Sequence, residues 1–216
     1  MAGAAEMLRP TEAAVVSGVE LRDVNHAIDR GLLPETHVTR GRERRVSVFA
    51  CVFLTFYHGS ADRLTSGERL FAIGEVGRRL GNKPDGSWSI ETANDWIVQD
   101  DFLRIDLTPF VRSAWARWEL YLDAQTMVSS SPDILSGAPV IQGTRIPVHD
   151  VAASAAAGHS TERILAAYPG LTAEQVALAA LYAKANPLQG RPRARPTLEE
   201  ARLLSEERVA RRRKAG

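Results

Sequence analysis

Helical periodicity in this chain never runs far before a glycine or a proline cuts it. The Ala/Val-rich stretch Thr11 to Ser17 stops at Gly18. A second stretch, with Leu21, Val24 and Ile28 at helical spacing, stops at Gly31 and is followed by Leu32-Leu33-Pro34. Glycine tolerates the left-handed backbone that ends a helix, and proline cannot continue one. Ser47 is placed to cap a third helix running through Tyr57. Ser66 is placed to cap a fourth, on which Leu70, Ile73 and Leu80 point one way. After a turn at Lys83-Pro84-Asp85-Gly86, Leu103, Ile105 and Leu107 alternate with Arg104 and Asp106, which reads as a half-buried strand. Thr108-Pro109 then opens a helix whose Val111, Trp115, Trp118 and Leu122 share one face, either intradomain core or a dimer seam.

The same punctuation continues. Ser136 to Val148 reads as an extended piece, and three short helices follow it. One runs from Val148 to Ala157 before Gly158. The next is capped by Ser160 and ends at Tyr168, and the last opens on the capping box Thr172/Gln175. The expected fold is mainly α with a small β component. It comprises two helix-turn-helix-like units, an N-terminal winged type and a C-terminal three-helix type, and a flexible C-terminal tail. The expected divisions are residues 9–80, a strand and helix bridge over 81–125, a second unit over 126–186, and a tail over 187–216.

Net charge is +1, but its distribution is uneven. Residues 1–60 balance, residues 61–183 are acidic, and residues 184–216 carry ten basic groups against four acidic ones. A basic end on a neutral body seeks an acidic partner. Within the first unit Arg40, Arg42, Arg44 and Arg45 cluster around Gly41, as phosphate-binding surfaces require. With Leu21, Val24 and Ile28 facing inward, the second helix exposes Arg22, Asn25 and His26. Arginine pairs bidentately with guanine and asparagine with adenine, so these suit a major groove. Asp23 and Asp29 put opposing charge on the same helix. In the second unit Arg145 is expected to serve as a structural hydrogen-bond donor, with a single phosphate contact as its alternative.

Catalysis is not expected. Asp95, Asp100, Asp101 and Asp106 are the densest carboxylates, and adjacent strand residues point opposite ways. The five histidines show neither zinc spacing nor cysteine company, and there is no glycine-rich phosphate loop or nucleophile elbow. No cofactor or metal is expected. The lone Cys51 sits in an apolar run, no stretch approaches the ~18 apolar residues of a membrane span, and Met1 to Pro10 lacks the order of a signal peptide. A cytoplasmic location is the expectation.

The segment from Ser131 to Ala183 resembles a family of small bacterial domains that occur as VapB-like antitoxins encoded beside PIN-like nuclease toxins. The residues that carry it are Pro132-Asp133-Ile134-Leu135, Gly137, Pro139-Val140-Ile141, Gly143-Thr144-Arg145-Ile146-Pro147-Val148, Gly158, Ile164-Leu165, Tyr168-Pro169 and Leu171-Thr172. The first unit is similar to the winged helix-turn-helix of MerR-type regulators, through Thr11-Glu12-Ala13-Ala14, Ser17-Gly18-Val19, Arg22 and Gly31-Leu32-Leu33-Pro34. The resemblance implies a homodimeric antitoxin that neutralises a PIN-like ribonuclease and binds operator DNA. A toxin metal site built from carboxylates would receive arginine, so Arg191, Arg193 and Arg195 are expected to enter it while Leu198, Leu203 and Leu204 dock at its rim. The alternatives are a basic tail that only strengthens DNA binding, a stand-alone repressor with no toxin, and an adaptor that uses both units for protein contacts.

Overall fold

The computed structural model describes residues 6–81 and 96–188. Among them are eight α-helices and seven short strands, so the protein is mainly helical with a small sheet component. The calls on residues 189–216, and those on Lys83 to Gly86 and on Asp95, lie outside the described residues.

Helix α1 (Pro10–Ser17) and helix α2 (Leu21–Asp29) are joined by a turn at Gly18, whose φ of 70° lies in the left-handed region. Arg117 closes this turn from the far side of the fold. Its guanidinium donates to the carbonyls of Val16 at 2.9 Å and Ser17 at 2.8 Å, and to the hydroxyls of Ser113 and Thr55. A Cβ on residue 18 would lie 3.0 Å from that guanidinium carbon. Glycine therefore serves twice here, for its backbone and for its missing side chain. Val24, Ala27 and Ile28 bury their side chains. Leu21 does not: it stays 41% exposed, a correction to its inward placement.

Strands β1 (Met7–Leu8), β2 (Val38–Thr39) and β3 (Arg45–Ser47) form an antiparallel sheet in the order β1-β3-β2. Val38 faces Val46 and Thr39 faces Arg45, so residues 40–44 form the tip of a β2–β3 hairpin. Ser47 ends this wing and caps helix α3 (Val48–Gly59), accepting from the Ala50 amide at 3.2 Å. Helix α4 (Ser66–Gly81) follows, capped by Thr65 and not Ser66. Thr65 and Glu68 exchange hydrogen bonds in a capping box, and the side chain three residues on decides which hydroxyl serves.

Strands β4 (Ile97–Asp100) and β5 (Leu103–Asp106) form a hairpin, and helix α5 (Thr108–Thr126) follows. The expected cap, Thr108, is instead the first helical residue, and its amide donates to the Asp106 carboxylate at 2.8 Å. Helix α5 runs through the main core and packs on α1 and α3. Val111 and Trp118 are buried there, with Trp115 and Leu122 partly buried against it, so the face left open as core or dimer seam is intrachain core.

Strand β6 (Val128–Ser129) pairs antiparallel with β7 (Val140–Ile141). Helices α6 (Val148–Ala156), α7 (Thr161–Ala167) and α8 (Ala173–Ala185) then enclose a second core around Ile141, Val148, Val151, Ile164 and Ala179. Ser160 accepts from the Arg163 amide, and Thr172 and Gln175 form the expected box. Helix α8 packs also on α1 and α5, and Ala185 belongs to the main core. The end of α8 is tied to the start of α1 by a polar knot. Arg9 donates to Glu12 and to the Asn186 side-chain oxygen, and the Tyr121 hydroxyl lies close enough to Glu12 to favour its carboxylate.

Candidate nucleic-acid interface

The helix-turn-helix, the wing and the end of α8 meet at an open groove of about 530 Å³. It is lined by Arg9 to Thr11 at the start of α1, by Leu21 and Asn25 of α2, by Gly41 to Arg45 of the wing, and by Pro187 just past α8. Four arginines and one glutamate line it, so its potential is positive. The α1 terminus adds the positive end of a helix dipole. Asn25, Arg42, Arg44 and Arg45 are thereby brought to one place, although α2 and the wing lie about fifteen residues apart in the chain. Arg9 and Thr11 join them. Neither was assigned to the site from sequence, because nothing local announces that the start of α1 reaches the wing.

The expected site residues differ in how free they are. Arg22 and His26 on α2 are exposed, and Arg22 meets only Asp23, at 3.5 Å. Arg40 pairs with Glu35 at 3.1 Å outside the groove lining, and Arg45 with Glu43 at 3.7 Å. Arg44 pairs with Asp29 at 3.0 Å and donates to the Asn25 side-chain oxygen at 3.3 Å. Arg42 has no ion pair among the described residues. Such exposed pairs contribute ~0–1 kcal/mol and are readily exchanged for phosphate.

Two titratable groups support the site from beneath. Burial works against the ionised form of Glu12, but hydrogen bonds from Arg9 and Tyr121 outweigh it and hold the carboxyl below its usual range. Burial also lowers the pKa of His37 at the wing base. Its Nδ1 meets the Ser47 hydroxyl at 3.1 Å, its Nε2 is buried without a hydrogen-bond partner among the described residues, and its ring packs on Phe49 and Phe53.

The second unit offers less charge. Arg145 is exposed and makes no hydrogen bond or ion pair among the described residues, which corrects its expected structural role. The turn it sits on is held by Thr144, which donates to the Ile141 carbonyl at 2.8 Å and accepts from the Ile146 amide at 3.1 Å. Asp100 ends β4 and Asp106 faces Ile97 at the hairpin's other end, so these carboxylates do not converge. Among the described residues no group of three or more His, Cys, Asp or Glu is placed to hold a metal.

Fold and groove together define a mainly helical protein in which a winged helix-turn-helix-like unit is packed against a second, three-helix unit. Residues 128–183 match a family model described as "Protein of unknown function (DUF433)". The uncharacterized protein y4eO of Sinorhizobium fredii (strain NBRC 101917 / NGR234) is 52% identical over 217 residues, covering 100% of this chain and 98% of that protein. The chain belongs to the family of y4eO. Among solved structures, the X-ray crystal structure of Rv2018 from Mycobacterium tuberculosis is similar at 14% identity, with a TM-score of 0.37, over 80% of this chain and 95% of that one.

Proposed function

We propose that this chain is a DNA-binding antitoxin, a homodimer that grips operator DNA with its winged unit and neutralises a PIN-like ribonuclease with the segment after Pro187. The observation that carries the DNA half is the groove, where wing arginines, the α2 surface and the first turn of α1 line one positive concavity. An exposed α2 face carrying Arg22 and His26 supplies groups that read base edges, with Asn25 beside them in the groove lining, and Arg42, Arg44 and Arg45 supply phosphate contacts. Arg40 supports the wing through Glu35 and stands beside it as a further cation. The toxin half rests on the family resemblance of residues 131–183 and on the basic end of the sequence, with Arg191, Arg193 and Arg195 as the groups for an acidic pocket and Leu198, Leu203 and Leu204 for its rim. Among the described residues no helix is long and apolar enough to cross a membrane. A cytoplasmic location belongs to the same proposal.

Replacing Arg42, Arg44 and Arg45 together by alanine tests the DNA half. With one phosphate lost per arginine, the slope of log K against log salt flattens by about 2–3. An unchanged slope and affinity reject the groove as the contact surface. The stand-alone repressor is the second reading, favoured by a groove lined, Pro187 apart, by residues 9–45. Coexpression with the product of the adjacent reading frame separates the two. An antitoxin restores growth that its toxin arrests and loses this on truncation after Leu188, whereas a repressor alone rescues nothing.

A further inference from the structure

Asparagine reads adenine by presenting its side-chain oxygen and amide together, as one acceptor and one donor in a plane. On α2 those groups are already engaged. The Asn25 amide donates to the Leu21 carbonyl at 3.0 Å, and its oxygen accepts from Arg44 at 3.3 Å. The two contacts fix which end of the side chain is which, since a carbonyl needs a donor and a guanidinium needs an acceptor. Arg44 is held again by Asp29, one turn further along α2, at 3.0 and 3.4 Å. Wing and helix are thus clipped together by one arginine received by two α2 side chains. Arg22 differs: its side chain is 86% exposed, and among the described residues its one ion pair is with Asp23.

We propose that Asn25 and Asp29 are positioning residues that hold the wing against α2 through Arg44, and that Arg22 is the base-reading arginine of this helix. The assignment of Arg22 rests on the DNA-binding reading, whereas the clip does not. Asp29 then has a purpose that its negative charge on a DNA-facing helix would otherwise lack. It orients Arg44, and in the complex it competes with phosphate for that guanidinium.

Two measurements on the full-length protein test this. Trypsin cuts at the wing tip, and the cut after Arg42 is followed by mass spectrometry. Asn25→Ala and Asp29→Ala each speed this cut about two- to fivefold, the range expected of an exposed ion pair, while cleavage outside α2 and the wing is unchanged. Unchanged cutting in both single variants overturns the clip, whatever the protein binds. The second measurement selects duplexes from a randomised DNA pool at low salt. Asn25→Ala and Asp29→Ala keep the wild-type base preferences, and Asn25→Ala weakens all duplexes by a similar factor. Arg22→Ala loses preference at one base pair. Loss of a single base preference in Asn25→Ala but not in Asp29→Ala overturns the positioning role. If the wild-type protein retains no duplex, the DNA-binding reading and the Arg22 assignment fail together, and the trypsin result alone decides the clip.

Discussion

Substituting Arg117 tests how the turn between α1 and α2 is made. Its guanidinium reaches two carbonyls at the end of α1 and two hydroxyls, and no carboxylate pairs with it among the described residues. Ser17 keeps a second donor, the Thr55 hydroxyl at 2.8 Å, whereas among the described residues the Val16 carbonyl has only Arg117 beyond its helix. Hydrogen bonds to a charged donor contribute about 1.5–3 kcal/mol each. Two carbonyl contacts, offset by partial rehydration of this half-buried site, give about 2–4 kcal/mol for Arg117→Ala. With a urea m-value of about 2 kcal/mol/M, the denaturation midpoint falls by about 1–2 M. Arg117→Lys recovers part of this by reaching one carbonyl. The neighbouring glycine supplies a sharper check. Gly18→Ala costs about 1–2 kcal/mol for its backbone and more for displacing the guanidinium 3.0 Å away. In an Arg117→Ala background only the backbone part remains, so the two changes together cost less than their sum. Strict additivity, or an Arg117→Ala midpoint within about 0.25 M of wild type, refutes the account.

Further outcomes follow from other contacts. Gly77→Ala destabilises, because a Cβ there would lie 2.8 Å from the Pro34 ring, whereas Gly74→Ala meets nothing and stabilises by about 1 kcal/mol through helix propensity; paired thermal melts check both. The folded Glu12 carboxyl titrates below its usual range, so its stabilisation is present above the unfolded-state pKa of about 4.5 and is lost as pH falls. Glu12→Gln is therefore less stable near neutrality, with a shallower loss between about pH 5 and pH 3 in denaturation curves. Burial lowers the folded pKa of His37, so the unfolded chain takes up the proton first and stability drops as pH falls through about 6.5, levelling below the folded pKa. His58 and His149 shift the same way, and His37→Gln flattens the profile in part.

Much of the helical layout was legible because caps are local. Ser160, Thr172 with Gln175, and Gly18 each act on groups within four residues, and each helix end falls where those residues place it. The two misplaced caps sit where polar neighbours compete. Thr65 beats Ser66 because only Thr65 has a glutamate three residues on, and the Asp106 carboxylate accepts from Thr108's own amide, which draws Thr108 into the helix in place of capping it from outside. Leu21 was assigned inward by its hydrophobicity, yet Val24, Ala27 and Ile28 fill the α2 core face and leave Leu21 to line the groove. The groove's wing arginines were readable as a charge cluster, but their partners were not. Glu12 amid alanines and valines signals a missing partner without saying where it lies. Its knot joins Arg9 to Asn186 across 177 residues, and Arg117 reaches Val16 across 101.

That knot has a mechanical consequence. The last described residues of the chain leave the body beside the first turn of α1, with Pro187 forming one lip of the positive concavity. Load applied at Leu188 is delivered through Asn186 and Arg9 to the lining of the groove, without crossing the three-helix unit.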